Sequence, residues 1–358
     1  MSPSERSARP ISGPERPGDS GMQLQFVTGA NGAFFPTLMV LLQSFVEQVG
    51  GGMPYVCDYG LAPGQREFLR RRGILLERPP AFGPPMNPLR EKAILREYFR
   101  HSGIEIRDAG AVVWLDGDLT LVGCSRADFE AVAAEMAVRN AEIAAAPQST
   151  IGAMLDVLRR QGPRAAEPFE RLVAKSPIDT AKPYYSTGIF LCRSASFLAR
   201  WAEMSSGVPD QPVLDQNIFN AVVHSGTRSV LPLDIDIWQA QGDTLDSLRI
   251  VPDAHGPSSV RLDGKPIKIL HATSPAIRHL LIGPASFVAG DLVLEGAFKL
   301  LRPRSLLESQ LALLSRFLYE HRTELLEVGI CRLAETPVAG YSLRIAGQGP
   351  GSRPTATS

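Results

Sequence analysis

Two carboxylates one residue apart, Asp116 and Asp118, flank Gly117 directly after the apolar run Ala111-Val112-Val113-Trp114-Leu115. Like charges placed so close in a crevice repel unless a cation lies between them. Oxygen ligands of this kind suit magnesium or manganese, which keep open positions for substrate phosphate oxygens. In a transfer from a nucleoside diphosphate, such an ion offsets the charge that builds on the departing group. A solvated turn is the plain alternative, and the uninterrupted apolar approach argues against it.

The elements that must position this triplet alternate between strand and helix. Leu24 to Thr28 reads as a buried strand running through Gly29-Ala30-Asn31-Gly32 into an apolar helix, Phe34 to Val49, which Gly50-Gly51-Gly52 ends. A strand at Pro54 to Asp58, a basic helix at Pro63 to Arg72 closed by Gly73, and a strand at Ile74 to Glu77 follow. After the Pro-rich loop Pro79 to Pro85, a helix from Pro88 to Arg100 is capped by Asn87 and stopped by Gly103. Continuous apolar strands between helices predict a mostly parallel sheet covered on both faces. In such sheets ligands bind beyond the carboxyl ends of the strands, where Asn31, Asp58 and Asp116 would gather.

The second half reads differently. Ser125 caps an Ala-rich helix to Ala146, helices recur around Met154 and Leu172, and strands return near Thr187 to Cys192 and Ile267 to Leu270. A leucine-rich helix, Ser305 to Glu327, carries Leu307, Leu311, Leu314 and Leu318 at helical spacing, and docking on the parent domain is its simplest role. The expected divisions are a disordered leader (1–21), a strand-and-helix half (22–123), a second half that completes the site (124–303), a helical segment (304–339) and a disordered tail (340–358).

Composition narrows the classes. The chain has 358 residues, 44% hydrophobic and 21% charged, as ordinary globular proteins do. Lys plus Arg equals Asp plus Glu at 37 each, so no overall positive field recruits nucleic acid. Cys57, Cys124, Cys192 and Cys331 form no Cys-x-x-Cys pair, which points away from a zinc site or disulfide scaffold and toward reduced thiols in a cytoplasm. No apolar run approaches the roughly 18 residues of a membrane span, which leaves peripheral membrane contact open.

An ordered series of motifs resembles the GT-A-fold glycosyltransferases, family 8 in particular. The series is the opening strand and loop ending at Asn31, Val112 to Asp118, Tyr185-Ser186-Thr187-Gly188-Ile189-Phe190-Leu191, Leu214-Asp215-Gln216-Asn217, and Ile269-Leu270-His271. The likeness covers about Leu24 to Pro284. It implies an α/β, GT-A type single domain with a mostly parallel mixed sheet flanked by helices, in which residues 22–123 are a Rossmann-like nucleotide-sugar-binding half and 124–303 an acceptor-binding half, a nucleotide-sugar donor, expected to be a UDP-sugar, a manganese or magnesium ion, and retention of anomeric configuration. By the same resemblance Asp116, Asp118 and His271 are metal ligands, with Asp116 also near the ribose. Thr28, Gly29 and Asn31 meet base and ribose, Ser186, Thr187 and Gly188 border the donor pocket, and Asp215 and Gln216 face the transferred sugar. Where the family carries a glycine and then a lysine for the diphosphate, this chain has Ala272-Thr273-Ser274-Pro275, which makes Arg278 the replacement candidate and Lys92 a second one. Each has a plain alternative: Lys92 as a solvated helix charge, and Asp215 as a cap for a helix at Ile218 to Val223.

Two other readings compete. Asp116-Gly117-Asp118-Leu119-Thr120 also has the Asp-x-Asp-x-Thr form of haloacid-dehalogenase-type phosphatases, but there the motif follows the first strand, and here three predicted strands precede it. That reading would also require a later acidic pair, for which only Asp234 and Asp236 offer themselves. The third is a noncatalytic glycosyltransferase-like scaffold that binds a partner through the Ser305 to Glu327 helix; intact Asp116, Asp118 and His271 argue against it.

Overall fold

The structure is a computed structural model and describes residues 23–83, 87–106, 110–226, 228–251, 259–273 and 277–346. The expected leader lies outside them.

The first half builds the parallel part of a sheet. Strand β1 (Leu24–Ala30) leads into helix α1 (Phe35–Gln48), followed by β2 (Tyr55–Asp58), α2 (Pro63–Arg71) and β3 (Leu75–Leu76). The next helix is broken at Ile94 into α3 (Pro88–Ala93) and α4 (Leu95–His101), although Asn87 caps it as expected by accepting from the Leu89 amide. Strand β4 (Ala111–Leu115) is buried along its whole length, as an apolar run between β1 and a second neighbour must be. A short β5 (Leu119–Leu121) and helix α5 (Arg126–Val138) follow.

The second half continues the same sheet. Strand β6 (Ile143–Thr150), helices α6 (Ile151–Gln161) and α7 (Pro163–Lys175), strand β7 (Pro183–Cys192), helices α8 (Ala195–Ser206) and α9 (Leu214–His224), and strand β8 (Val230–Pro232) complete a seven-stranded order β3-β2-β1-β4-β7-β6-β8. β7 is antiparallel to both β4 and β6; the other neighbours are parallel. The fold is thus the α/β class with a mixed, mostly parallel sheet flanked by helices. Beyond it lie α10 (Ile235–Trp238), α11 (Thr244–Ser247), the small antiparallel sheet of β9 (Arg249–Val251), β10 (Ser259–Leu262) and β11 (Lys265–Pro266), and β12 (Ile269–His271), which pairs with β5. A hairpin of two ten-residue strands, β13 (Leu280–Ala289) and β14 (Leu292–Leu301), then precedes α12 (Arg304–Glu320), α13 (Arg322–Glu327), β15 (Cys331–Leu333) and β16 (Tyr341–Ile345).

Three further expectations require correction. The Ala-rich helix ends at Val138, not Ala146: Asn140 takes a positive φ of 51°, and Ala144, Ala145 and Ala146 are fully buried in β6. Alanine's helix preference amounts to less than about 1 kcal/mol per residue, so pairing on both edges of β6 overrides it. The leucine-rich helix breaks at His321 into α12 and α13. The tail beyond 340 is structured at first, since Tyr341–Ile345 pairs antiparallel with β13; residues 347–358 lie outside the description. The β13–β14 hairpin is absent from the sequence reading because Gly283, Pro284 and Gly296 interrupt its strands with residues that ordinarily mark turns.

The stripe Leu307, Leu311, Leu314 and Leu318 is buried, and α12 packs on α1 and β14. This is the docking role read from the spacing. Leu314 is completely buried, so Leu314→Ala should destabilise the protein by about 2–5 kcal/mol, read as a lower urea midpoint with an unchanged slope. Among the described residues no helix is long and apolar enough to cross a membrane. The four cysteines are free and buried, and burial pushes the Cys192 and Cys331 thiols up to about 12.

Candidate functional site

The triplet follows the last residue of β4 at the carboxyl edge of the sheet. The Asp116 amide donates to the Gly188 carbonyl of β7 (2.8 Å), and the Leu119 amide closes the turn on the Asp116 carbonyl (3.1 Å). β5 then pairs with β12 so that His271 stands opposite Leu119, and the Ala272 amide donates to the Asp118 carbonyl (3.1 Å). This register brings a histidine 153 residues away onto the triplet: His271 Nε2 lies 3.1 Å from Asp118 Oδ1 and 3.9 Å from Asp116 Oδ2. Ligand atoms of Asp116, Asp118 and His271 all fall within 4.8 Å of one another.

Gly188 makes the imidazole's position possible. A Cβ there would come within 2.6 Å of His271 Cε1 and 2.9 Å of Nδ1. Gly188→Ala should therefore displace the ring: a manganese affinity lower by about tenfold or more than wild type in titration calorimetry would support His271 as a ligand, and unchanged affinity would count against it. The His271 Nδ1 atom is buried and has no hydrogen-bond partner.

A second centre adjoins the first through Lys92. This side chain is 7% exposed, and its ammonium pairs with Asp116 Oδ1 (2.7 Å) and with Asp215 Oδ2 (2.8 Å), while also donating to the Thr187 carbonyl (3.2 Å). Lys92 is thus no solvated helix charge. Burial alone would lower its pKa, but the charges of Asp116 and Asp215 outweigh that and hold it above the ordinary lysine value. Trp114 Nε1 donates to Asp116 Oδ1 (2.7 Å), and Thr187 Oγ1 donates to Asp215 Oδ2 (2.8 Å). Gln216 accepts from the Thr187 amide (3.3 Å) and donates to Gln148 Oε1 (3.1 Å).

Asp215 does not cap its helix. The cap position of α9 is Val213, held at φ 48°, and Asp215 sits in the first turn with its carboxylate given to Lys92 and Thr187. Helix α9 is fixed against β7 by two fully buried amides: Asn217 Oδ1 accepts from Tyr184 Oη (2.7 Å), and Asn220 accepts from the Tyr185 amide (2.7 Å) and donates to its carbonyl (2.8 Å). Buried amides with satisfied partners hold one geometry.

The opening loop closes the other side. A Cβ on Gly117 would stand 3.0 Å from the Gly29 carbonyl, so the β1 loop and the triplet touch. Gly29 itself must lack a side chain, because a Cβ would meet Tyr59 Cζ at 2.4 Å. Thr28 Oγ1 and Tyr59 Oη are buried without partners, and Tyr59 stacks on Trp114 with centroids 6.5 Å apart. Asn31 Oδ1 accepts from the Phe34 amide (3.1 Å), which commits that oxygen to the turn before α1. Ser186 Oγ is likewise engaged, accepting from the Gly188 amide (3.2 Å) and from Gln239 Nε2 (2.7 Å).

Arg278 stands elsewhere. Its guanidinium, 65% exposed, pairs with Asp243 (2.9 Å) and Asp246 (3.5 Å). The cation on Asp118 is instead Lys299 of β14, a residue with no signal in the sequence because it reaches the site only through the hairpin. Asp118 is pulled below the ordinary carboxylate range: burial would raise it, but His271 and Lys299 outweigh burial. Asp116 is pushed up by burial and by the charge of Asp118, against the opposing pull of Lys92.

Three carboxylates, Asp116, Asp118 and Asp215, thus face two ammonium groups, Lys92 and Lys299. The balance is one positive charge short. Two hard oxygen donors and an imidazole nitrogen form a set that fits manganese or magnesium.

No protein-family model and no curated protein matches the chain. Among solved structures it is similar to the apo WbbM bifunctional glycosyltransferase, at 14% identity over 63% of this chain and 40% of that one, with a TM-score of 0.42. It is also similar to the galactosyltransferase LgtC in complex with donor and acceptor sugar analogues (17% identity, 70% of this chain, 87% of that one, TM-score 0.39). A third is mouse xyloside xylosyltransferase 1 in its apo form (15% identity, 70% and 97%, TM-score 0.39). The chain spans two fifths of the WbbM chain.

Proposed function

We propose that the protein is a metal-dependent glycosyltransferase that moves a sugar from a nucleotide-sugar donor, expected to be a UDP-sugar, to an acceptor with retention of configuration. The observation that carries this reading is the meeting, at one sheet edge, of the Asp116–Asp118–His271 donor set with the Asp215–Gln216 pair through the buried Lys92. Asp116, Asp118 and His271 would hold a manganese or magnesium ion, whose charge would be set against that of a leaving diphosphate. Lys92 fixes the distance between this set and α9 by holding Asp116 and Asp215 at once. Asp215 and Gln216 then present polar atoms to sugar hydroxyls, and the first-turn position of Asp215 is favourable for a negative charge. Thr28, Gly29 and Asn31 supply the wall for base and ribose, with the unpartnered Thr28 hydroxyl as its free polar atom. Thr187 holds Asp215 in place, and Gly188 leaves room for His271. Buried free thiols support a reducing, cytoplasmic setting.

The phosphatase alternative loses its second acidic pair. Asp234 caps α10 by accepting from the Asp236 amide (3.1 Å), and Asp236 accepts from Thr244 (3.1 Å). The scaffold alternative loses its docking stripe, which α1 and β14 cover.

The test is incubation with manganese and a panel of UDP-, GDP- and CMP-sugars, recording nucleotide release. Slow, metal-dependent hydrolysis of one class identifies the donor. No release from any donor, together with phosphate release from simple phosphate esters, transfers the assignment to phosphoryl chemistry.

A further inference from the structure

Lys299 places an ammonium on a carboxylate that the proposed function gives to a metal. Its Nζ pairs with Asp118 Oδ2, while His271 Nε2 takes Oδ1 of the same carboxylate at 3.1 Å. A divalent ion on Asp118 would compete with the Lys299 ammonium for the charge of the same carboxylate. Three hydrogen-bonding and packing contacts fix the backbone behind Lys299: its amide donates to Thr37 Oγ1 (2.9 Å), the Ala297 amide donates to the Ala33 carbonyl (2.9 Å), and Gly296 lies against Pro36, whose Cγ a Cβ would meet at 2.7 Å. The strand cannot retreat. The Lys299 side chain, by contrast, is 29% exposed and ends on a flexible four-carbon stem. Lys92 differs on this point, being 7% exposed and tied to two carboxylates and a carbonyl.

We propose that Lys299 is a displaceable counter-cation of Asp118, occupying the carboxylate when no divalent ion is bound and swinging out toward solvent when one enters. The inference rests on the metal reading of Asp116, Asp118 and His271. Under it the protein's affinity for a free divalent ion is held down by an internal competitor, and the site keeps its charge nearly balanced before the metal arrives.

Two measurements on the full chain test this. Titration calorimetry with manganese chloride alone should give Lys299→Met a dissociation constant about tenfold lower than wild type. Amine acylation followed by peptide mass spectrometry on unmodified wild type should show Lys299 reacting several times faster as manganese chloride saturates the site, with Lys92 unchanged. If wild type binds manganese but the variant binds no tighter and Lys299 labelling stays flat or falls, Lys299 is not displaced and the metal reading stands without it. If neither protein binds manganese, the metal reading fails and the inference fails with it. Should Lys299→Met not fold, the labelling of wild type alone decides between displacement and its absence.

Discussion

Asp118→Asn is expected to abolish manganese binding and to lower donor turnover by about a thousandfold, while the thermal midpoint moves by no more than a few degrees. Asparagine keeps the shape of the side chain and the carbonyl that accepts from Ala272, so the β5–β12 register survives. What disappears is the charge that His271 and Lys299 face. Lys299 is exposed enough to find water in its place, which keeps the structural cost small. Calorimetric metal titration, nucleotide release and a thermal melt on one preparation give the three readouts. A collapse of the melt by ten degrees or more would assign Asp118 to the framework instead.

Lys92→Met has the opposite signature. Removing this ammonium leaves Asp116 and Asp215 facing each other in a buried setting with nothing between them, and breaking a buried pair from one side costs about 3–5 kcal/mol. The loss should appear as a large drop in the urea midpoint together with loss of turnover. Added magnesium should recover more stability in this variant than in wild type, because the ion supplies charge to Asp116. Combining it with Asp215→Asn should return part of the loss. Wild-type stability in the single variant would mean that water already screens the two carboxylates.

The parts of the site that could be read without coordinates share a local signature. Asp116 and Asp118 follow five apolar residues, and no solvated turn needs such an approach. Asp215 follows Leu214 and His271 lies between Leu270 and Ala272, apolar residues that had to be interior, and Gln216 is the neighbour of Asp215. Their partners were not legible. Whether Asp215 caps a helix or pairs across the cleft depends on Lys92, which lies 123 residues earlier and looks like any exposed helix lysine until α3 is seen against β7 and α9. Ala144 to Ala146 misled because alanine's own preference is small and the pairing of β6 on both edges decides its state. Lys299 had no sequence signal at all: the hairpin that carries it contains a proline and glycines, and only its anchoring on α1 turns it toward Asp118.

That anchoring sets an order of assembly during synthesis. Asp118 and Lys299 are 181 residues apart, so at about 5–20 residues per second the carboxylate emerges roughly 10–40 s before its counter-cation. Through that interval Lys92 is already made and can face Asp116, whereas Asp118 has no lysine partner and the face of α1 that α12 later covers is still open to solvent. Chaperone contact or aggregation of a nascent chain would concentrate on that face, and a ribosome stalled short of Leu301 would hold a sheet whose ligand edge carries the charge of the site without its balance.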